Sequence, residues 1–364
     1  MNQYVKNRQI AFILFNSIVG YGVMNLPKNT AEKVGTGSWI TLLISTAIVI
    51  AFTYLLIYLG YTHKNKTIYE YSELLVGKFI TSIFMTIYII YFFIIFSMIT
   101  RLSCEVIKLS VLIKTPIWIL CSLFLLVAYY ALVNKLKIIA RICEIYGFFI
   151  IIAYLIIFFL ISTQGSLINV RPLLGSENIG TYFKAISVTT IPFLGIALLV
   201  TIPINKKTNN KKIFMYTASI IAFIGILYIF VVESCISVMG VAGIVYYKDS
   251  LLATIRRIDI SWLQFLSRLD GLFLVAWIMA VSCTIITFAY GTTFLLSKYF
   301  KNIHFSVIAF IVMSLAFIMS LIPKTIDNAS KILLYISYLG IFTIGVIPMI
   351  LLIVTKIKKT TLKS

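Results

Sequence analysis

Apolar residues run along this chain in long stretches separated by short polar connections, and ten of these stretches approach membrane-spanning length. A hydrocarbon core about 30 Å thick needs about 20 apolar residues in an α-helix. Candidate spans lie near 9–27, 38–62, 79–109, 116–133, 141–163, 184–203, 213–239, 270–297, 305–322 and 331–355. Many are rich in Ile and Phe and would read as strands by propensity, but a barrel strand needs only about ten alternating residues. The pattern predicts an all-α integral membrane protein of about ten transmembrane helices, a single polytopic domain over 1–364 with halves at 9–163 and 184–355. Lys6 and Arg8 precede the first stretch as in a signal peptide. Nine further stretches follow and no small-residue cleavage site closes it, so it is read as a retained span.

Composition agrees. Of 364 residues 61% are hydrophobic and 12% charged, against roughly 25% charged in a soluble chain. The net charge of +20 suggests nucleic-acid binding until the basic residues are located. They sit in short clusters between apolar runs, the pattern of cytoplasmic loops rather than of a basic binding face. Placing the N-terminus inside puts 18 of the 31 Lys and Arg on inner segments, including the run 206–212, so both termini are expected to be cytoplasmic. The outer connections 164–183 and 240–269 are long enough to hold short surface helices; the second carries Asp249, Arg256, Arg257, Asp259 and Trp262.

Cysteines and histidines add no chemistry. Cys104, Cys121, Cys143, Cys235 and Cys283 all lie in apolar stretches without metal-type spacing, so they are read as packing residues. His63 and His304 lie in polar connections. No metal, cofactor or catalytic cluster is expected.

Two spans are interrupted. The first reads Asn16-Ser17-Ile18-Val19-Gly20-Tyr21-Gly22-Val23-Met24-Asn25-Leu26-Pro27, with the proline at its exit. The sixth reads Thr189-Thr190-Ile191-Pro192-Phe193-Leu194-Gly195 and ends at Pro203. Glycine and proline weaken a helix interior, and backbone groups freed there must line a cavity or bury against protein. The alternative is close helix packing at Gly20 and Gly22 with a simple kink at Pro192. Each interrupted span opens one half of a five-plus-five arrangement, the sequence pointer to a midplane site in inverted-repeat transporters. Half-helix N-termini there offer N–H groups to a carboxylate, which suits an amino acid.

Charges in apolar surroundings are few. Arg101 and Glu105 lie four apart and share a helix face that Lys108 continues. They are either functional groups within the membrane or residues reaching out to its outer interface. Arg141 and Glu144 suggest an ion pair at the inner start of the fifth span, and Glu233 is a lone acid near the outer end of the seventh. Ser282, Cys283, Thr284 and Thr287 place small polar groups deep in the eighth, facing a cavity or bonding their own helix.

Several strings are those of a known family. They are Gly20-Tyr21-Gly22 through Leu26-Pro27; Thr100-Arg101 with Glu105 and Lys108; Thr115-Pro116; Ala140-Arg141 with Glu144; and Asn169-Val170-Arg171-Pro172-Leu173-Leu174-Gly175. Phe193-Leu194-Gly195 running to Pro203, Arg268 with Leu274 to Trp277, and Tyr338-Leu339-Gly340 complete the set. In this order and spacing the chain resembles the B-subunit permeases of bacterial spore germinant receptors, within the amino acid–polyamine–organocation superfamily. The resemblance implies a LeuT-like 5+5 inverted-repeat fold in the spore inner membrane, with a membrane A subunit and a lipoprotein C subunit as partners. It implies a germinant, often an amino acid, held between broken helices 1 and 6 and closed by spans three and eight. The matching ligand-binding positions are Gly20, Tyr21, Gly22, Val23, Met24, Ile95, Leu194, Gly195, Cys283 and Thr284; Arg101 and Glu105 are expected to serve structure or assembly. Many family members carry a glutamate two residues after the sixth-span glycine; here that position is Ala197. Two functions stay open: a receptor subunit whose ligand biases a conformation read by partners, and a proton- or cation-coupled amino acid permease. A membrane enzyme has little support.

Overall fold

The computed structural model describes residues 5–175, 178–205, 208–247, 249–257 and 269–361, and every regular element among them is helical. Lys206, Lys207, Asp259, Trp262 and Arg268 lie outside the described residues, as does the side chain of Tyr21. The elements are α1 (Asn7–Gly22), α2 (Leu26–Val34), α3 (Ser38–Thr62), α4 (Ile68–Ser110), α5 (Ile117–Val133), α6 (Lys135–Thr163), α7 (Ile179–Thr190), α8 (Lys212–Tyr246), α9 (Ser250–Arg256), α10 (Leu269–Tyr299), α11 (Phe305–Leu321) and α12 (Ile326–Thr361). Three 3-10 segments join them, at Gly35–Gly37, Leu167–Val170 and Ile191–Thr201.

Seven helical stretches are long and apolar enough to cross a membrane: Leu26–Thr62, Ile68–Ser110, Leu136–Thr163, Ile179–Thr201, Lys212–Tyr246, Leu269–Tyr299 and Ile326–Lys358. α5 and α11 are apolar but shorter, at 17 residues each, and α1 has 16. α10 is the central post, with 72% of its apolar window buried, against 39% for the window in Leu26–Thr62. A helix apolar all round is stable only where protein or lipid covers every face. α1 packs among α6, α8, α10 and the 3-10 helix Ile191–Thr201, while α4 lies against α10, α11 and α12.

Several boundaries differ from the sequence reading. Pro27 does not close the first span. It sits in the first turn of α2, where its missing N–H costs nothing, and the chain continues helically to Val34. α4 begins eleven residues before the expected 79, because Gly77 at φ 83° joins an entry helix to the span proper. Gly240 at φ 68° does the same near the end of α8. The connection after α8 does contain a short helix, α9. It is not a surface helix, because its apolar residues Leu251, Leu252 and Ile255 are all buried.

The sixth span is not interrupted by coil either. α7 ends at Thr190 and the chain goes directly into eleven residues of 3-10 helix, Ile191–Thr201. Pro192 accounts for the end of α7, since its ring would clash with the Val188 carbonyl of a continuing α-helix and it has no N–H to donate there. The connection before α7 is fastened by backbone acceptors. Thr36 Oγ1 donates to the Pro172 carbonyl at 2.6 Å, Trp39 Nε1 to the Leu173 carbonyl at 2.8 Å, and the Tyr182 hydroxyl to the Leu174 carbonyl.

Candidate functional site

α1 ends at Gly22, with the Val23 N–H on the Val19 carbonyl at 3.3 Å, and a turn over Val23–Asn25 leads into α2. The break is therefore just past the two glycines, which themselves remain helical. Their role is close approach, as in the packing alternative. A Cβ on Gly20 would lie 2.6 Å from the carbonyl carbon and oxygen of Ala280 and would collide with Thr284 Oγ1. A Cβ on Gly22 would lie 2.7 Å from Pro192 Cα and collide with Pro192 Cβ. A Cβ on Gly195 would meet the Ser17 carbonyl carbon and oxygen at 2.9 Å. The three glycines thus bring α1 against α10 and the 3-10 helix at backbone distance.

Hydroxyls and amides then tie the α1 backbone to its neighbours. Tyr228 of α8 donates to the Ile18 carbonyl at 3.0 Å. Thr284 Oγ1 lies 2.9 Å from the Asn16 carbonyl oxygen and 3.0 Å from that of Ala280, its own i−4 residue, and can donate to either. Asn16 uses both amide hydrogens, on the Phe12 carbonyl at 2.8 Å and the Cys143 carbonyl of α6 at 2.7 Å; its Oδ1 is buried with no hydrogen-bond partner in the chain. Tyr91 of α4 places its hydroxyl 3.5 Å from the Leu194 carbonyl, and Phe193 meets the Tyr228 ring edge-on at 5.1 Å between centroids.

The predicted positions are therefore only partly gathered. Gly20, Gly22, Gly195 and Thr284 meet around the end of α1, while Leu194, next to Gly195, has its carbonyl toward Tyr91 of α4. Val23 and Met24 form the turn and are buried. Ile95 is fully buried on α4 one turn beyond Tyr91, the residue that actually reaches the 3-10 helix. Cys283 turns away, its thiol in contact with Cys143 of α6. Ser282 and Thr287 bond their own helix at Ile278 and Cys283. Tyr91, Phe193 and Tyr228 were missed. A buried tyrosine hydroxyl usually finds a partner, which is the available signal for Tyr91 and Tyr228.

The site is packed closed. The void beside it, between the 3-10 helix, α3 and α12, measures about 20 Å³, room for about one water. Among the described residues, Arg101 is a charged residue with a buried side chain, 2.7 Å from Glu105. Its side chain is buried against protein, on α4 a turn and a half beyond Ile95. Glu144 does not pair with Arg141. Its two oxygens take Arg8 Nε at 2.8 Å and Gln9 Nε2 at 3.2 Å, both from the first turn of α1.

This architecture is that of a multi-pass membrane protein. Over 94% of this chain and 80% of the other, it superposes on the substrate-bound outward-open state of a Na+-coupled sialic acid symporter with a TM-score of 0.65. At 14% identity that likeness speaks for the fold. The family described as spore germination protein matches residues 4–329, and the chain belongs to it. Among curated relatives, Spore germination protein A2 of Bacillus subtilis (strain 168) is 28% identical, covering 95% of this chain and 94% of its own. Spore germination protein YndE of the same organism is 25% identical over 98% and 97%, and Spore germination protein GerLB of Bacillus cereus 22% identical over 98% and 96%.

Proposed function

We propose that the chain is the B subunit of a spore nutrient germinant receptor, which binds a small germinant, an amino acid, between the end of α1 and the 3-10 helix and signals to partner subunits. Membership of the spore germination family is the observation that carries this reading. The approach of Gly20, Gly22 and Gly195 at the end of α1 supports the location. α2 begins at the break, and the first N–H groups of a helix lack partners within it and carry its positive end, which suits a carboxylate. Those groups and the nearby hydroxyls of Thr284 and Tyr228 are what the described residues offer a zwitterion.

In this reading the helices make ten spans in two halves of five. α1 with α2 forms the first and α7 with the 3-10 helix the sixth; α5 and α11 are short spans within the ~17–25 residue range. Both termini lie in the cytoplasm and the membrane is the spore inner membrane. An A subunit in the membrane and a lipoprotein C subunit complete the receptor. Binding requires the closed packing to open, and the ligand shifts the receptor by its different affinity for the two states.

The likeness to a Na+-coupled symporter favours a second reading, a cation-coupled amino acid permease. Ala197, fully buried on the 3-10 helix, offers no carboxylate for such coupling. Uptake of labelled amino acids into vesicles holding this chain alone separates the readings. No concentrative uptake is expected, and robust uptake without partners overturns the receptor reading. In spores, Gly22→Leu and Leu194→Trp are expected to abolish the nutrient response while the protein accumulates; normal responses from both place the site elsewhere.

A further inference from the structure

Runs of 3-10 helix longer than three or four residues are uncommon, because their hydrogen bonds are poorly aligned and side chains three apart eclipse. The segment Ile191–Thr201 holds eleven residues in this form, with Pro192–Thr201 all buried. One of its faces is clamped: Gly195 meets the Ser17 carbonyl and Pro192 meets Gly22, so a tight, narrow helix is what α1 leaves room for.

Two small voids lie along its other faces. A void of about 20 Å³ separates Thr190, Phe193, Leu194 and Ile196 from α3 and α12, where Val49 and Ile344 line it. A second void, about 10 Å³, lies at the far end against Leu198, Thr201 and Ile202. Protein interiors are close-packed as a rule, so two water-sized voids along one unusually long 3-10 helix are a conjunction to be explained.

From this conjunction we infer that Ile191–Thr201 is a two-state element that converts between 3-10 and α geometry. At a rise of 2.0 Å per residue eleven residues span about 22 Å, and at 1.5 Å about 16.5 Å, so conversion retracts the segment by roughly 5 Å while thickening it into the voids. The retraction has a connection to act through. The segment leads into Asn205 and Asn209, and Asn209 Nδ2 donates to Asn7 Oδ1 at 2.7 Å and to the Val5 carbonyl at 3.2 Å. A change of helix type beside the break in α1 thereby pulls on the opposite end of α1. The inference rests on the geometry of this helix and is independent of which ligand, if any, the break receives.

The test measures the distance across the segment in the full-length chain in lipid nanodiscs, by pulsed electron resonance between spin labels at Ser187→Cys and Lys211→Cys, both exposed positions. The unaltered chain is expected to hold a minority population roughly 5 Å shorter, and Pro192→Ala, which restores a backbone donor and removes the ring clash, to enlarge it. Ile344→Phe fills the larger void and is expected to return the distribution to the single longer distance, alone and combined with Pro192→Ala. Where Pro192→Ala does not accumulate, the comparison of Ile344→Phe with the otherwise unaltered chain decides: a narrower distribution with the short distances removed supports conversion. The same distribution in every variant overturns it. Germination is no part of the readout, so conversion and the germinant reading fail separately.

Discussion

The hydroxyl of Tyr228 donates to the carbonyl oxygen of Ile18 at 3.0 Å, fastening the middle of α8 to α1 one turn before its helix ends. Both partners are buried, so neither can turn to water when the bond is broken. Tyr228→Phe keeps the ring against Phe193 and removes the hydroxyl that makes the bond. A buried hydrogen bond of this kind contributes about 0.5–1.5 kcal/mol. A germinant concentration–response curve measured on variant spores is expected to shift by roughly two- to tenfold to lower concentration, because the bond belongs to the closed packing that must open. An unmoved curve would show that this bond is made in both states.

Glycine substitutions separate close approach from mere flexibility. Gly20→Ala and Gly195→Ala each put a methyl group into backbone atoms of a neighbouring element, which cannot move aside as a side chain could. Gly180→Ala and Gly271→Ala add a methyl with nothing within 4 Å. The first pair is expected to lose the nutrient response and the second to retain it, since alanine favours a helix over glycine by about 1 kcal/mol. Equal behaviour of the two pairs would remove the glycines from the argument for the site.

The ion pair on α4 makes a different demand. Arg101 and Glu105 keep only 7% and 14% of their side-chain surface exposed. Arg101→Ala leaves a carboxylate without its partner in apolar surroundings, which costs about 3–5 kcal/mol. Accumulation in the membrane and thermal stability in detergent are expected to fall well before ligand preference changes. The double replacement Arg101→Met with Glu105→Leu is expected to recover most of the loss. A pure shift of germinant specificity in Arg101→Ala would put that side chain in the binding site.

At the first turn of α1 two fastenings differ in burial. Arg8 is 63% exposed, so its pair with Glu144 contributes less than about 1 kcal/mol. Asn209 is buried, and besides its two donations its Oδ1 accepts the Asn205 N–H at 3.0 Å. Glu144→Gln is therefore expected to change thermal stability little, and Asn209→Ala to lower it by about 1–3 kcal/mol, the cost of stranding buried partners. The reverse ranking would mean that the charge pair is shielded from water in the membrane.

Helices whose ends coincide with polar connections were legible from hydropathy alone: Ser38–Thr62, Ile117–Val133 and Phe305–Leu321 fall within a residue of expectation. Ends set by backbone conformation were not. Gly77 and Gly240 redirect helices at positive φ without changing the apolar pattern, and Pro27 starts a helix where it was read as closing one. The two weak points of the chain were visible as Gly and Pro clusters, yet the residues that bond across them were not. Tyr91, Tyr228 and Asn16 lie on three different helices, and only tertiary packing brings them to one place.

All five cysteines are reduced and buried, on α4, α5, α6, α8 and α10. The unaltered chain therefore supplies its own blank for thiol chemistry. A water-soluble maleimide finds nothing to label on either face, and any cysteine introduced at an exposed position reports without background. Removing the native thiols first, the customary precaution, would disturb the contacts of Cys143 with Cys283 and of Cys104 with Cys121 that help hold the bundle together.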